Sequence, residues 1–256
     1  MVFSFCTPLL LFIMVVTKEA ISVWVCFSLV GLGAIALVFY LLEKCKRYSL
    51  KGVLIKFVVS LLFVAVAVTA SHLHPGHILN PLLIIGLVLG LSGDAWLDLK
   101  YVYPEHDKPY SYMGFAVFGL GHIFFITGMF LEFFGSAHPL YAIVPIGAAI
   151  VIGVGNLFLA KPLKLDYGSM KGVVLAYSFC LFSMPLSALS LCILTSFQSV
   201  PLVLLFVGGI LFAVSDLVLS GTYFGKGHER PIDFILNYCT YYPAQFLIAL
   251  SLLFLA

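Results

Sequence analysis

Three aspartates stand in stretches that are otherwise apolar. Asp94 and Asp98 lie in GDAWLDLK, residues 93–100, and Asp216 lies in LFAVSDLVLS, residues 211–220. A charge at mid-depth in a bilayer costs about 2.5–3.5 kcal/mol, so a carboxylate there is a functional candidate first. Asp94 and Asp98 are four residues apart and share one helix face. Asp94 is a turn deeper. Asp98, beside Leu99 and Lys100, reads equally as a carboxylate that reaches water or pairs with Lys100. Asp216 lies on another apolar run, a turn or two from the same side of the membrane. Asp94 and Asp216 can therefore face each other across a bundle interior. By residue type alone this is an intramembrane carboxylate site, suited to proton exchange or to a proton or cation path.

Other polar residues join these candidates. His122 stands mid-run in FAVFGLGHIFF, residues 115–125, where it is either a hydrogen-bonded packing residue or part of a site. Gly119 and Gly121 beside it allow close approach of another helix or a lipid chain. Tyr238, Tyr241, Tyr242 and Gln245 follow the i, i+3, i+4, i+7 pattern of one helical stripe. Gln245 is the deepest of them and needs a partner in lipid. The HLHPGH run, residues 72–77, has metal-like side chains, but it falls in a loop on the opposite side, with no carboxylate or cysteine near it in sequence.

The elements that must position these residues follow from composition. Of 256 residues 62% are hydrophobic and 9% charged, against about 45–50% apolar and about 25% charged in soluble domains. So much apolar surface calls for lipid as solvent. About 20 helical residues cross a 30 Å hydrocarbon core, and apolar runs of that order fall at 20–42, 52–71, 78–99, 112–134, 138–160, 170–195, 200–222 and 236–256. The expected fold is all-α: a polytopic transmembrane helix bundle of about eight spans, forming one domain over residues 20–256. Residues 1–19 form an N-terminal apolar segment, read as a short ninth span or as a helix along the interface.

Charge supports this span count independently. Lys44, Lys46, Arg47, Lys51, Lys56, Lys100, Lys108, Lys161, Lys164, Lys171, Lys226 and Arg230 share one side, which holds 12 of the 13 Lys and Arg residues; Lys18 is on the other. The positive-inside rule makes the first side cytoplasmic. Tyr40, Tyr48, Trp96, Tyr101, Tyr103, Tyr110 and Tyr112 near helix ends on that side read as an aromatic belt. A net charge of +2, with no basic run interleaved with aromatics, points away from nucleic acid. The six cysteines form no CxxC pair, so no zinc or redox site is indicated. No metal or cofactor is expected.

Four stretches in order resemble the YhhN-like lysoplasmalogenase family of polytopic membrane proteins: GDAWLDL (93–99), FAVFGLGHIFFITGMF (115–130), GGILFAVSDLVL (208–219) and TYYPAQFLIALS (240–251). The likeness covers about residues 50–256. It implies hydrolysis of the vinyl ether bond of a lysoplasmalogen to a fatty aldehyde and a glycerophospho-head group. The family's aspartates carry over to Asp94 and Asp216 and its histidine to His122. Asp98 and the Gly221–Tyr223 segment depart from its pattern, which leaves substrate choice open. Acid hydrolysis of a vinyl ether puts a proton on the β-carbon, gives an oxocarbenium ion, and ends in water addition. Two carboxyl groups divide that work as they do in glycosidases, and titrate as a unit.

On this reading Asp94 and Asp216 are catalytic, and Asp98, His122, Tyr241 and Gln245 lie on the substrate-binding side. Lys51, Lys100 and Lys171 at the rim are candidates to hold the phosphate. The partners are a lysophospholipid substrate and the lipid bilayer. A bacterial cytoplasmic membrane is the first expectation and an endoplasmic reticulum membrane the second. Three rivals stand beside it: a hydrolase of another lysolipid, a non-catalytic lipid-binding protein, and a transporter built on a parallel repeat. The last draws on the small-Asp-x-x-Leu pattern shared by the Asp94 and Asp216 runs.

Overall fold

The computed structural model describes residues 6–46, 49–225 and 230–255, with side chains from residue 19 onward. Arg47, Tyr48, Lys226 and residues 1–5, all named above, lie outside the described residues. Eight long helices follow one another: α1 (Cys6–Lys44), α2 (Leu50–Ser71), α3 (Leu79–Val102), α4 (Asp107–Phe133), α5 (Leu140–Ala160), α6 (Lys171–Leu194), α7 (Val200–Phe224) and α8 (Pro231–Leu250). No strand occurs among the described residues.

Among the described residues, seven of the eight helices are long and apolar enough to cross a membrane, and the chain is a multi-pass membrane protein. The exception is α8, whose apolar content is diluted by Asn237, Tyr238, Thr240, Tyr241, Tyr242 and Gln245. Residues 6–16 are not a separate span. They continue into α1, because Thr17-Lys18-Glu19 contains no residue that stops a helix. At 1.5 Å per residue α1 is about 58 Å long, more than the hydrocarbon core needs. Helix α6 runs on through Pro185, which lies inside it.

Packing explains why α8 can afford its polar face. Helices α2, α3, α4, α6, α7 and α8 close into a ring, each packed on the next and α8 on α2. Outside the ring, α1 lies chiefly on α2 and α5 chiefly on α6. Two runs of four helices therefore take equivalent places, and α3 stands opposite α7. Small residues set the close approaches. A Cβ built on Gly86 of α3 would come within 2.9 Å of the Gly121 carbonyl oxygen of α4, and one on Gly121 within 3.0 Å of that of Gly86. The helix-terminus caps are local: Ser49 Oγ accepts from Gly52 N–H at 3.1 Å to start α2, and Asp233 accepts from Arg230 N–H at 3.1 Å to start α8.

Candidate active site

Asp94 projects from α3 into the ring and is buried. Its Oδ1 lies 3.1 Å from Lys56 Nζ of α2. Its Oδ2 accepts from Ser60 Oγ at 2.6 Å and from Tyr241 Oη at 2.8 Å. Lys56 and Ser60 are one turn apart on α2, so a single helix face supplies both donors. Gln245 Nε2 donates to Tyr241 Oη at 3.0 Å, which turns the tyrosine proton toward Asp94. The Tyr238–Gln245 stripe does face inward: all four of its residues are buried.

Asp98 lies a turn closer to the lysine-rich end and is also buried. It does not pair as its sequence neighbourhood suggests. Lys44 Nζ of α1 meets its Oδ1 at 2.8 Å, Lys56 Nζ stands 3.6 Å from the same oxygen, and Tyr40 Oη donates to Oδ2 at 2.8 Å. Lys100 reaches Asp107 at 3.2 Å. Tyr40 is fully buried, so it belongs to this cluster and not to an interfacial belt. The physical reason is that a buried carboxylate is costly unless cations and hydroxyls fill its lone pairs. Two ammonium groups here face two carboxylates.

Asp216 of α7 differs. Tyr177 Oη of α6 donates to its Oδ2 and Ser215 Oγ to its Oδ1 at 3.3 Å. No cation contacts it among the described residues. Asn237 Nδ2 of α8 donates to the Ser215 carbonyl at 2.7 Å and fixes this turn of α7.

Asp94 and Asp216 line one small cavity of about 20 Å³, together with Lys56, Phe118, Tyr177 and Tyr241. That is room for about one water. Through Phe115, Tyr177, Asp216, Leu219 and Tyr223 it adjoins a chamber of about 480 Å³ between α5, α6 and α7. The chamber wall is mostly apolar, with Leu159, Val174, Leu181 and Phe182 among its residues. Leu159, Leu163 and Leu217 line it and are themselves exposed, so it opens on the lipid-facing surface.

The remaining sequence candidates fall outside these two spaces. His122 is buried beside them, its Nδ1 donating to the Phe118 carbonyl at 2.8 Å and its ring 4.7 Å from that of Phe212. Asp98 borders a separate crevice with Lys44. Lys51 is exposed and lies 3.7 Å from Glu43, and Lys100 sits 3.4 Å over the Tyr223 ring. Tyr223 lines the chamber, but Lys100 is buried against its ring and paired with Asp107, whereas Lys171 is exposed in a groove beside the chamber. A carboxylate does stand by the HLHPGH run: His77 Nδ1 is 2.6 Å from Glu132 Oε1. The described residues contain no group of three or more His, Cys, Asp or Glu able to hold a metal.

Sequence reasoning passed over Lys44, Lys56, Ser60, Tyr40 and Tyr177. Lys44 and Lys56 were absorbed by the charge bias across the membrane. The available signal was that Lys56 lies six residues inside an apolar helix, with Ser60 one turn deeper. Tyr177 carried no signal, because one tyrosine in an apolar run is ordinary.

Comparison with known proteins bears on this geometry. No curated protein and no solved structure matches the chain. The model of the YhhN family matches residues 51–252, which span α2 to the end of α8 and hold both cavity aspartates. The chain belongs to the YhhN family.

Proposed function

We propose that this protein hydrolyses the vinyl ether bond of a lysoplasmalogen, releasing a fatty aldehyde and a glycerophospho-head group. The carrying observation is the lipid-open apolar chamber that ends on a water-sized pocket walled by Asp94 and Asp216. A single hydrocarbon chain suits the chamber, and the bond next to it then meets the two carboxyl groups.

The roles follow from their partners. Asp94 has an ammonium and two hydroxyls directed at it, which fills three of the roughly four lone-pair sites of a carboxylate. It is assigned the anionic role. Asp216 has no cation in contact among the described residues, and an isolated charge against an apolar wall is the costly form. It is assigned the proton. That proton goes to the β-carbon of the vinyl ether. The double-bond electrons form the new C–H bond, and the ether oxygen shares the resulting positive charge. Asp94 faces that cation. Water adds to the α-carbon and gives a proton to a carboxylate. The hemiacetal then collapses: its hydroxyl gives its proton to one carboxylate as the C=O forms, the bond to the glycerol oxygen breaks, that oxygen takes a proton from the protonated carboxyl group, and aldehyde leaves. Tyr177 orients Asp216 throughout, and Tyr241 with Gln245 orients Asp94.

Aldehyde release from a lysoplasmalogen by the purified protein in detergent tests this, with Asp94→Asn and Asp216→Asn alongside. Release by the parent and its loss in both variants is the expected result. Absence of release by folded protein across several head groups sinks the proposal. Ion flux in liposomes is then the next measurement, since α3 and α7 hold their aspartates at equivalent places of a repeated four-helix run.

A further inference from the structure

The chamber mouth at the lysine-rich end is built by the segment between α5 and α6. This segment is tied down. Leu165 N–H donates to the Ala160 carbonyl at 2.8 Å, and Asp166 N–H donates to the Phe224 carbonyl at the end of α7, also at 2.8 Å. Tyr167 packs edge-on against Phe224, ring centroids 4.9 Å apart. Lys164 holds a left-handed backbone, φ 56°, which is uncommon for a residue with a side chain.

A groove of about 640 Å³ runs along this mouth, and Lys161, Lys164 and Lys171 all line it. It shares Leu165 and Tyr167 with the chamber, so the two spaces adjoin. All three lysines are exposed. None pairs with a carboxylate among the described residues, unlike Lys44, Lys51, Lys56 and Lys100. The acidic side chain in the groove, Asp166, is used by its own loop, where Oδ1 accepts from Gly168 N–H at 3.0 Å. Three cations held at a fixed mouth, beside an apolar chamber, match an amphiphile with an anionic head.

We propose that Lys161, Lys164 and Lys171 form a phosphate-binding rim, which takes the head-group phosphate of a single-chain phospholipid whose chain lies in the chamber. This rests on reading the chamber as a lipid-chain site. Lys51 and Lys100 have no part in it.

The test is binding of saturated ether analogues, which cannot form the oxocarbenium ion and so report on the rim whether or not the protein is a hydrolase. The probes are a 1-O-hexadecyl glycerophosphoethanolamine and phosphate-free 1-O-hexadecylglycerol, titrated into full-length protein in a maltoside detergent. The parent is expected to bind the phospholipid about tenfold more tightly than the phosphate-free analogue. The Lys161→Gln/Lys164→Gln/Lys171→Gln variant should lose that difference while binding the phosphate-free analogue unchanged, and the triple Lys→Arg variant should keep it. Equal preference in parent and Gln variant overturns the proposal and leaves the lysines as topology signals. So does equal lysine-dependent binding of inorganic phosphate, or of a two-chain phosphatidic acid, because the phosphate would then be recognised without the chain. Failure of aldehyde release with the rim result intact would remove the hydrolase reading alone.

Discussion

Lys56 Nζ stands 3.1 Å from Asp94 Oδ1, with the two side chains only 4% and 3% exposed. The same ammonium is 3.6 Å from Asp98, so one lysine ties together the two carboxylates that share a face of α3. Lys56→Met takes from Asp94 its ion-pair partner and leaves Asp98 with Lys44 alone, and breaking a buried pair costs about 3–5 kcal/mol. A clear fall in the thermal unfolding midpoint in detergent is expected. The double variant Lys56→Met/Asp94→Asn should regain part of it, because the uncompensated charge is gone.

Asp216 is where the proton is assigned, and general acid catalysis contributes roughly 10²–10⁴-fold in rate. Asp216→Asn should lower the kcat of aldehyde release by about that factor, with the unfolding midpoint unchanged or raised. Tyr177→Phe removes the hydroxyl that orients Asp216 and should give a smaller loss in kcat with little change in KM. Steady-state kinetics on both variants separates these outcomes.

Leu181 is buried and lines the chamber on α6, one turn from Tyr177, and makes no polar contact with either carboxylate. Leu181→Trp shortens the space for a chain. The KM for long-chain substrates should rise about tenfold or more, with short-chain substrates turned over as before. A chain-length series measures this. An equal loss for every length would argue that the chain lies elsewhere.

His122 lines neither space, and its shown hydrogen bond is to the Phe118 carbonyl. His122→Phe should cost about 1 kcal/mol in stability and leave kcat/KM within a few-fold of the parent. A loss beyond a hundredfold would return His122 to the chemistry.

Tyr40→Phe removes a hydroxyl donor to Asp98. Hydrogen bonds to charged groups are worth about 1.5–3 kcal/mol, so the unfolding midpoint should drop. The kinetics should stay near those of the parent, since Asp98 borders a different crevice. Comparing the midpoint with turnover decides whether Asp98 supports the fold or the substrate.

Much of this protein is legible in its sequence, because in lipid the rules are few. Every backbone polar group must be satisfied within its own helix, so apolar runs of span length show where the helices lie. The lysine bias shows which ends lie together. Asp94, Asp216 and the Tyr238–Gln245 stripe were visible as polar residues with no cheap place to be. What the sequence left open was the partner of each charge. Lys44, Lys56 and Lys100 look alike as basic residues near helix ends, yet Lys44 and Lys56 turn inward to Asp98 and Asp94 while Lys100 reaches Asp107. That choice depends on which helices are neighbours. Only the closed ring, with α3 opposite α7 and α8 packed on α2, brings a lysine from α2 and a tyrosine from α8 onto one aspartate. The chamber was hidden for the same reason: it is the gap left where α5 stands outside the ring, and a gap between helices has no residue of its own to announce it.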